Sequence, residues 1–349
     1  MEKIKVGISH GDINGIGYEI IIKTLMDLRI MDLCTPIVYG SPKVAAYHRK
    51  ALNINNFNFN TIDNAEKTNN KRANIIDCFG DDIKVELGKS TDIAGNASFV
   101  SLEKTVADLM DNKIQAIVTA PINKKNIQSE KFNFHGHTEY LQEKFGADEV
   151  LMLLVSGNLR VGVVVGHTAI KDVPSKITKE NIMKKLTLMN DSLRKDFGIR
   201  KPKIAILGLN PHAGDDGLLG KEEQEIISPT INEARDNGIM AVGPFAADGF
   251  FGSDTYKKFD GILAMYHDQG LAPFKALAFT SGVNFTAGLP IVRTSPAHGT
   301  AYEIAGENTA SFDSFREALY LAIEIYKNRN SNEILESNAL KVEAPKERR

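Results

Sequence analysis

The stretch LMLLVSGNLRVGVVVGH, residues 151–167, decides what kind of sheet this chain builds. Two runs rich in Leu and Val, too short for ordinary helices, flank Gly157 and Asn158, which supply a tight hairpin turn. Residues 151–156 and 160–166 therefore read as an antiparallel pair. Outward from that pair the pattern changes: short β-branched runs at 3–9, 36–40, 115–120, 203–209 and 261–265 interleave with amphipathic helical stretches such as 179–197, 221–237 and 314–327. Strands separated by helices favour parallel neighbours, so the fold class is α/β, with a mixed, largely parallel sheet.

A chain of 349 residues is too long for one ordinary core and suggests two domains, or one large α/β assembly with an internal cleft. Its 42 basic and 44 acidic residues leave a net charge of -2, with no basic block before the last few residues, which argues against nucleic acid as a partner. The N-terminus lacks a signal-peptide pattern and no apolar run approaches the roughly 20 residues of a spanning helix, so a cytoplasmic protein without membrane contact is expected. Cys34 and Cys78 lack a CxxC or metal-type spacing and read as buried free thiols. The Asn-rich segment 53–74 reads as a surface excursion, and the chain after Asn328 as a frayed polar tail.

Ligands of open α/β sheets bind beyond the carboxyl ends of strands. Three such ends carry histidine: His167 in VGVVVGHTAI, His212 in IAILGLNPHAG and His267 in GILAMYHDQG. One histidine in such a place is usually a hydrogen-bonded structural residue. Three of the chain's 8 in equivalent places suit a divalent metal held by neutral imidazoles, with a position left for water or substrate oxygen. Both readings stay open here, because the ligands would come from separate loops. Asp268, Asp215 and Asp216 would either orient imidazoles or simply form turns. In HGDINGIGYEI, residues 10–20, Gly11, Gly15 and Gly17 surround a strand-to-helix turn that lets backbone approach an anionic ligand. The spacing is not GxGxxG, and LGKS at 87–90 is no P-loop because Ile83 stands where its first glycine belongs. FHGHTEYL adds His135, His137, Thr138 and Glu139 in a cluster too polar for core, and TAPINKKN at 119–126 ends another strand with polar groups.

Taken in order, GDINGIGYE, TAPINK, GHTEYL, GHTAIKDV, GLNPHAG, GPFAADGFF, YHDQGLAPFKAL and VNFTAGLPIVRTSPAHGTAYEIAG resemble the 4-hydroxythreonine-4-phosphate dehydrogenase family of pyridoxal phosphate biosynthesis, over about residues 4–325. The resemblance implies an isocitrate/isopropylmalate dehydrogenase-like fold that binds NAD or NADP without a GxGxxG fingerprint. It implies one sub-domain of residues 1–125 plus 275–349 on the cofactor side, and a second of 126–274 on the metal and dimer side. By the same resemblance, His167, His212 and His267 hold a divalent ion (Zn, Mg, Mn or Co), while His137, Thr138, Lys275, Asn284 and Arg293 contact a small phosphorylated amino-acid substrate. Cofactor contacts fall on Gly11, Asp12, Gly15 and Gly17 toward the nicotinamide, and on His298, Gly299 and Thr300 toward the adenine. The family's active site lies at a homodimer interface, which would bring His167 of one subunit to His212 and His267 of the other.

The implied reaction is NAD-dependent, metal-dependent oxidation of 4-phosphohydroxy-L-threonine to a 3-keto acid, which loses CO2 to give 3-amino-2-oxopropyl phosphate. Asp248, Asp268 and Lys275 are the candidates for proton handling. Two alternatives stand beside it: oxidation of a related phosphorylated four-carbon acid, threonate or erythronate 4-phosphate, and a metal-holding relative without turnover. One departure bears on the cofactor. The family's first loop usually reads GDPAGIGPE, whereas Ile13, Asn14 and Tyr18 stand here in place of proline, alanine and proline. That leaves the stiffness of the loop, and its hold on cofactor, open.

Overall fold

The computed structural model describes residues 3–80 and 83–337. Twelve strands form one sheet: β1 (Lys5–Ser9), β2 (Thr35–Gly40), β3 (Asn60–Ile62), β4 (Asn74–Asp77), β5 (Ala116–Thr119), β6 (Leu151–Ser156), β7 (Leu159–Val165), β8 (Lys203–Leu207), β9 (Met240–Phe245), β10 (Gly261–Tyr266), β11 (Val283–Ala287) and β12 (Arg293–Pro296). Their order across the sheet is β3-β4-β2-β1-β5-β12-β11-β6-β7-β10-β8-β9. The hairpin expected at Gly157 and Asn158 is present, since β6 and β7 pair antiparallel from Leu153 opposite Gly162 to Ser156 opposite Leu159. β11 runs antiparallel to both β12 and β6, and apart from these two pairs and β6–β7 every neighbouring pair is parallel. The two parallel halves consequently point in opposite directions, joined through β11 and β6.

Helices cover both halves. Asp92–Met110 packs on β1, β2 and β5, Lys179–Lys195 on β7, β10, β11 and β6, and Asp313–Ser337 on β12, β5 and β11. Central strands such as β8, with Ile204, Ala205, Ile206 and Leu207 all fully buried, supply the apolar area that drives the assembly. Cys34 and Cys78 are buried free thiols, as expected. Among the described residues no helix is long and apolar enough to cross a membrane.

Three expectations change. The tail after Asn328 is helical through Ser337, because Asn328 Nδ2 donates to the Asp196 carbonyl at 2.7 Å and Arg329 Nε donates to Asp196 Oδ1 at 2.6 Å; residues 338–349 lie outside the described ones. The Asn-rich excursion carries edge strand β3 and leads into β4, where the buried Asn74 accepts from Asn60 Nδ2 and the Asn69 amide, each at 2.9 Å, and donates to the Arg72 carbonyl at 2.9 Å. The helix expected over 221–237 opens as a π-helical turn, Glu223–Ile227, before Ser228–Asp236. Such turns interrupt helices at functional places.

The stiffness of the first glycine loop, left open by Ile13, Asn14 and Tyr18, is settled by burial. Residues 11–17 are all buried. The Asn14 side chain donates to the Lys89 carbonyl at 2.8 Å and to Thr91 Oγ1 at 3.1 Å, and accepts from the Glu86 amide at 2.7 Å. Tyr18 lies between the rings of His10 and His48, at 5.2 and 5.1 Å, and its hydroxyl accepts from the Ser41 amide at 3.0 Å. His48 Nε2–H donates to the Ile13 carbonyl at 2.8 Å, and His10 Nδ1–H to the Gly11 carbonyl at 2.7 Å. Packing and hydrogen bonds replace the rigidity that prolines would supply.

That stack makes stability acid-sensitive. Burial holds both His10 and His48 down at about 4, against 6.5 for an exposed histidine. An unfolded chain therefore takes up protons between pH 6.5 and 4 that the folded one refuses, and stability falls as pH drops through that window. Between pH 7 and pH 5 the loss should be on the order of 2 kcal/mol per histidine. Urea unfolding at the two pH values checks it: His48→Gln should shrink the difference by about 2 kcal/mol, and an unchanged difference would remove the stack as a source.

Candidate active site

The three strand-end histidines follow adjacent parallel strands. His167 comes after β7, His267 after its neighbour β10, and His212 after β8 on the far side of β10. The His167 and His267 rings lie 5.7 Å apart, centre to centre. His267 Nδ1–H donates to Asp268 Oδ1 at 2.7 Å, which leaves Nε2 as the free nitrogen, the arrangement in which a carboxylate fixes a metal-binding tautomer. Burial, followed by the charges of Lys124 and His267, lowers the pKa of His167 and favours the neutral form a cation needs. Two imidazoles suit a borderline divalent cation. Among the described residues no group of three His, Cys, Asp or Glu side chains gathers to hold a metal ion, so the His212 of this chain does not complete the pair.

His212 sits in an unusual turn. Residues His212, Ala213, Gly214, Asp215 and Asp216 all have φ between 44° and 85°, a left-handed run that costs L-residues energy. Buried Glu223 stabilises it: Oε1 accepts from the amides of Leu209 and Asn210 at 2.7 and 2.8 Å, and Oε2 accepts from Asn210 Nδ2 at 2.9 Å. The π turn is what aims Glu223 at this loop, a role without a local sequence signal. Asp215 and Asp216 are exposed in left-handed geometry, as turn-forming aspartates would be.

The surroundings of Arg293 suit an anion. Its guanidinium is buried, and among the described residues its bonds go to hydroxyls alone: Nε and Nη2 reach Thr119 Oγ1 at 3.2 and 2.8 Å, and Nη1 reaches Thr286 Oγ1 at 3.2 Å. Burial pulls its pKa down to about 10, which the Glu139 carboxylate only partly opposes. His137, at the start of helix His137–Lys144, is buried with Nε2 unpartnered, and burial, Arg293 and Lys124 press its pKa well below the usual value. Lys124 and His135 line, with His167, a cavity of about 640 Å³. Arg293, His137, Lys124, Glu139, His167 and His267 are thus near enough for their charges to interact. Sequence reading missed Lys124 and Thr119 as individual residues, although TAPINKKN marked their loop.

The remaining candidates differ in exposure. Asn284 is half-buried with Oδ1 unpartnered, and Thr138 is half-buried beside His137. Lys275 is exposed on helix His267–Leu277 and Asp248 on helix Ala247–Phe251. His298 donates from Nδ1–H to the Gly299 carbonyl at 3.0 Å and keeps a buried, unpartnered Nε2, while Gly299 faces open space. Thr300 closes on the glycine loop, its carbonyl accepting from the Ile16 amide at 3.0 Å. Gly15 permits that approach, because a Cβ there would come within 2.6 Å of the Thr300 carbonyl oxygen.

A family model described as "Pyridoxal phosphate biosynthetic protein PdxA" matches residues 32–322. The chain is 54% identical over 340 residues to the 4-hydroxythreonine-4-phosphate dehydrogenase of Bacteroides thetaiotaomicron, covering 97% of this chain and 93% of that one. It is 40% identical over 325 residues to a protein of Oceanobacillus iheyensis provisionally named a D-threonate 4-phosphate dehydrogenase, covering 92% and 97% of the two. It superposes on the crystal structure of 4-hydroxythreonine-4-phosphate dehydrogenase from Klebsiella pneumoniae with a TM-score of 0.80 at 31% identity, over 93% of this chain and 98% of that one. Fold and relatives together define an oxidoreductase of the dehydrogenase class. Within that class the chain belongs to the pyridoxal phosphate biosynthetic protein PdxA family, as its motifs imply.

Proposed function

We propose that the chain catalyses NAD-dependent, divalent-metal-dependent oxidation of 4-phosphohydroxy-L-threonine, whose 3-keto acid decarboxylates to 3-amino-2-oxopropyl phosphate for pyridoxal 5′-phosphate synthesis. The observation that carries this reading is the Arg293 guanidinium, buried with only hydroxyl partners. A desolvated cation without a bonded counter-ion is costly, and an anionic substrate relieves that cost. His137 Nε2 and the first-turn amides of its helix add uncharged donors beside it, and Lys124 adds a second cation. Asn284 Oδ1, an acceptor, suits the substrate's ammonium or hydroxyl group.

His167, His212 and His267 would hold the metal, which would supply Lewis-acid polarisation at the substrate's 3-hydroxyl, and a bound nicotinamide would supply the hydride acceptor. Asp268 keeps His267 in the ligating tautomer. Lys275 and Asp248 remain the candidates for proton transfer, with Thr138 and Lys275 completing the substrate contacts. His298, Gly299 and Thr300, with the Gly11 to Gly17 loop, would form the cofactor side, on the sub-domain expected for residues 1–125 plus 275–349, of which 338–349 lie outside the described ones, and not on that of 126–274. A homodimer with a shared site follows the same logic: exposed Ile170 and Leu218 lie near His167 and His212, and a second copy would cover them while bringing a third imidazole.

The relative provisionally named for D-threonate 4-phosphate favours one second reading, oxidation of a phosphorylated four-carbon acid with a hydroxyl in place of the amine. Purified protein with NAD, or NADP, a divalent metal and each phosphorylated acid, followed at the reduced-nicotinamide band with CO2 trapping, tests both. The 4-phosphohydroxy-L-threonine reaction should have the highest kcat/KM; absence of reduction with every acid would leave only a metal-holding protein.

A further inference from the structure

Three segments meet at one buried point, the Asp12 carboxylate. Tyr302 Oη donates to Oδ2 at 2.7 Å, Asn126 Nδ2 donates to the same oxygen at 2.9 Å, and the Asn14 amide donates to Oδ1 at 2.8 Å. Asn123 Nδ2 donates to Tyr302 Oη at 3.1 Å and to Ser90 Oγ at 3.2 Å, so the phenol both gives and receives. Asp12 is fully buried, and among the described residues its charge is met by these neutral donors rather than by a bonded cation. Neutral donors aimed at a carboxylate make the stronger kind of hydrogen bond, and breaking one strands a buried charge. Asn123 and Asn126 flank Lys124, on the loop that carries the substrate-side cation, whereas Tyr302 follows the loop His298 to Thr300.

We propose that Tyr302 is a positioning residue, which through Asp12 ties the 298–306 loop to the 119–126 loop so that the cofactor and substrate walls of the cleft are held in one arrangement. Asp12 on this view is the anchor of that tie and not a cofactor contact. The inference rests on the reading that a nicotinamide cofactor lies against residues 298–300. Burial and the neighbouring carboxylate push the Tyr302 hydroxyl up to about 12, which keeps it a proton donor throughout the working pH range. Its loss should loosen the loop without unfolding it, because the Thr300 carbonyl still accepts from the Ile16 amide at 3.0 Å.

Tyr302→Phe keeps the ring and removes only the donor. Amides of residues 299–306 should then exchange with deuterium roughly tenfold faster, and NADH, titrated by fluorescence, should bind roughly tenfold more weakly. In turnover, KM for NAD should rise by a similar factor while kcat stays within about twofold, a split that general destabilisation would not produce. Asp12→Asn should lose protection of the same amides, and adding Asn126→Asp should recover it by returning a carboxylate to the contact. Unchanged exchange in Tyr302→Phe overturns the tie; faster exchange with unchanged NADH affinity overturns its role in positioning the cofactor. Because exchange and NADH binding are read without turnover, a wild-type protein that binds NADH yet oxidises none of the phosphorylated acids would sink the proposed reaction and leave this inference standing.

Discussion

Alanine at His212 should abolish metal-dependent turnover and leave a folded protein, since His212 is exposed on a loop that Glu223, not the imidazole, holds in place. The decisive form of the experiment mixes defects. His167→Ala and His212→Ala homodimers should each be inactive, but one site of every mixed dimer escapes both lesions if the two histidines of a site come from different chains. Random reassortment makes half the dimers mixed with one working site in two, so about a quarter of wild-type activity should return. No recovery, with mixed dimers shown to be present, would place the His167 and His212 of a site in one chain. Pairing His167→Ala with His267→Ala then reads the finer arrangement. Recovery supports the division the family motifs imply, with His167 alone on one side. Its absence assigns to one metal the two rings that lie 5.7 Å apart within a chain.

Arg293→Met should raise KM for the phosphorylated substrate roughly ten- to a hundredfold, as expected for loss of a charge-assisted contact of about 1.5 to 3 kcal/mol, while kcat changes less. Methionine keeps much of the apolar stem and removes the charge. The ligand-free protein should melt no lower than wild type, because removing a desolvated charge offsets the hydroxyls of Thr119 and Thr286 that lose their partner. An unaltered KM would refute the anion-binding role. A large fall in Tm would show instead that the guanidinium is a structural bond.

Much of the site was legible because it rests on strand ends. A buried run stopped by glycine and histidine is a local pattern, and β7, β8 and β10 end where that pattern indicates. The strands that escaped notice explain themselves too. β12 is Arg-Thr-Ser-Pro, and it is a strand only because β5 and β11 flank it on both edges. Polar residues in a central strand break the alternation on which sequence reading depends, and one of them is Arg293, the proposed substrate contact.

The sequence by itself determined the α/β class, the antiparallel hairpin at 151–165, the three histidine-bearing ends and the family, since periodicity, turn chemistry and ordered motifs are all properties of neighbours along the chain. Tertiary structure alone decided the rest. It sets the opposed directions of the two half-sheets, the stiffness of a glycine loop without its prolines, and the isolation of Arg293 from any bonded carboxylate. It also turns Glu223 onto the His212 loop and Tyr302 onto Asp12. Arg293 and Thr119 are 174 positions apart, and Tyr302 and Asp12 are 290 apart. Which buried donors find an acceptor, and which charges are left without one, depends on segments that only packing brings together, and in this protein those unmatched groups are where the chemistry is expected.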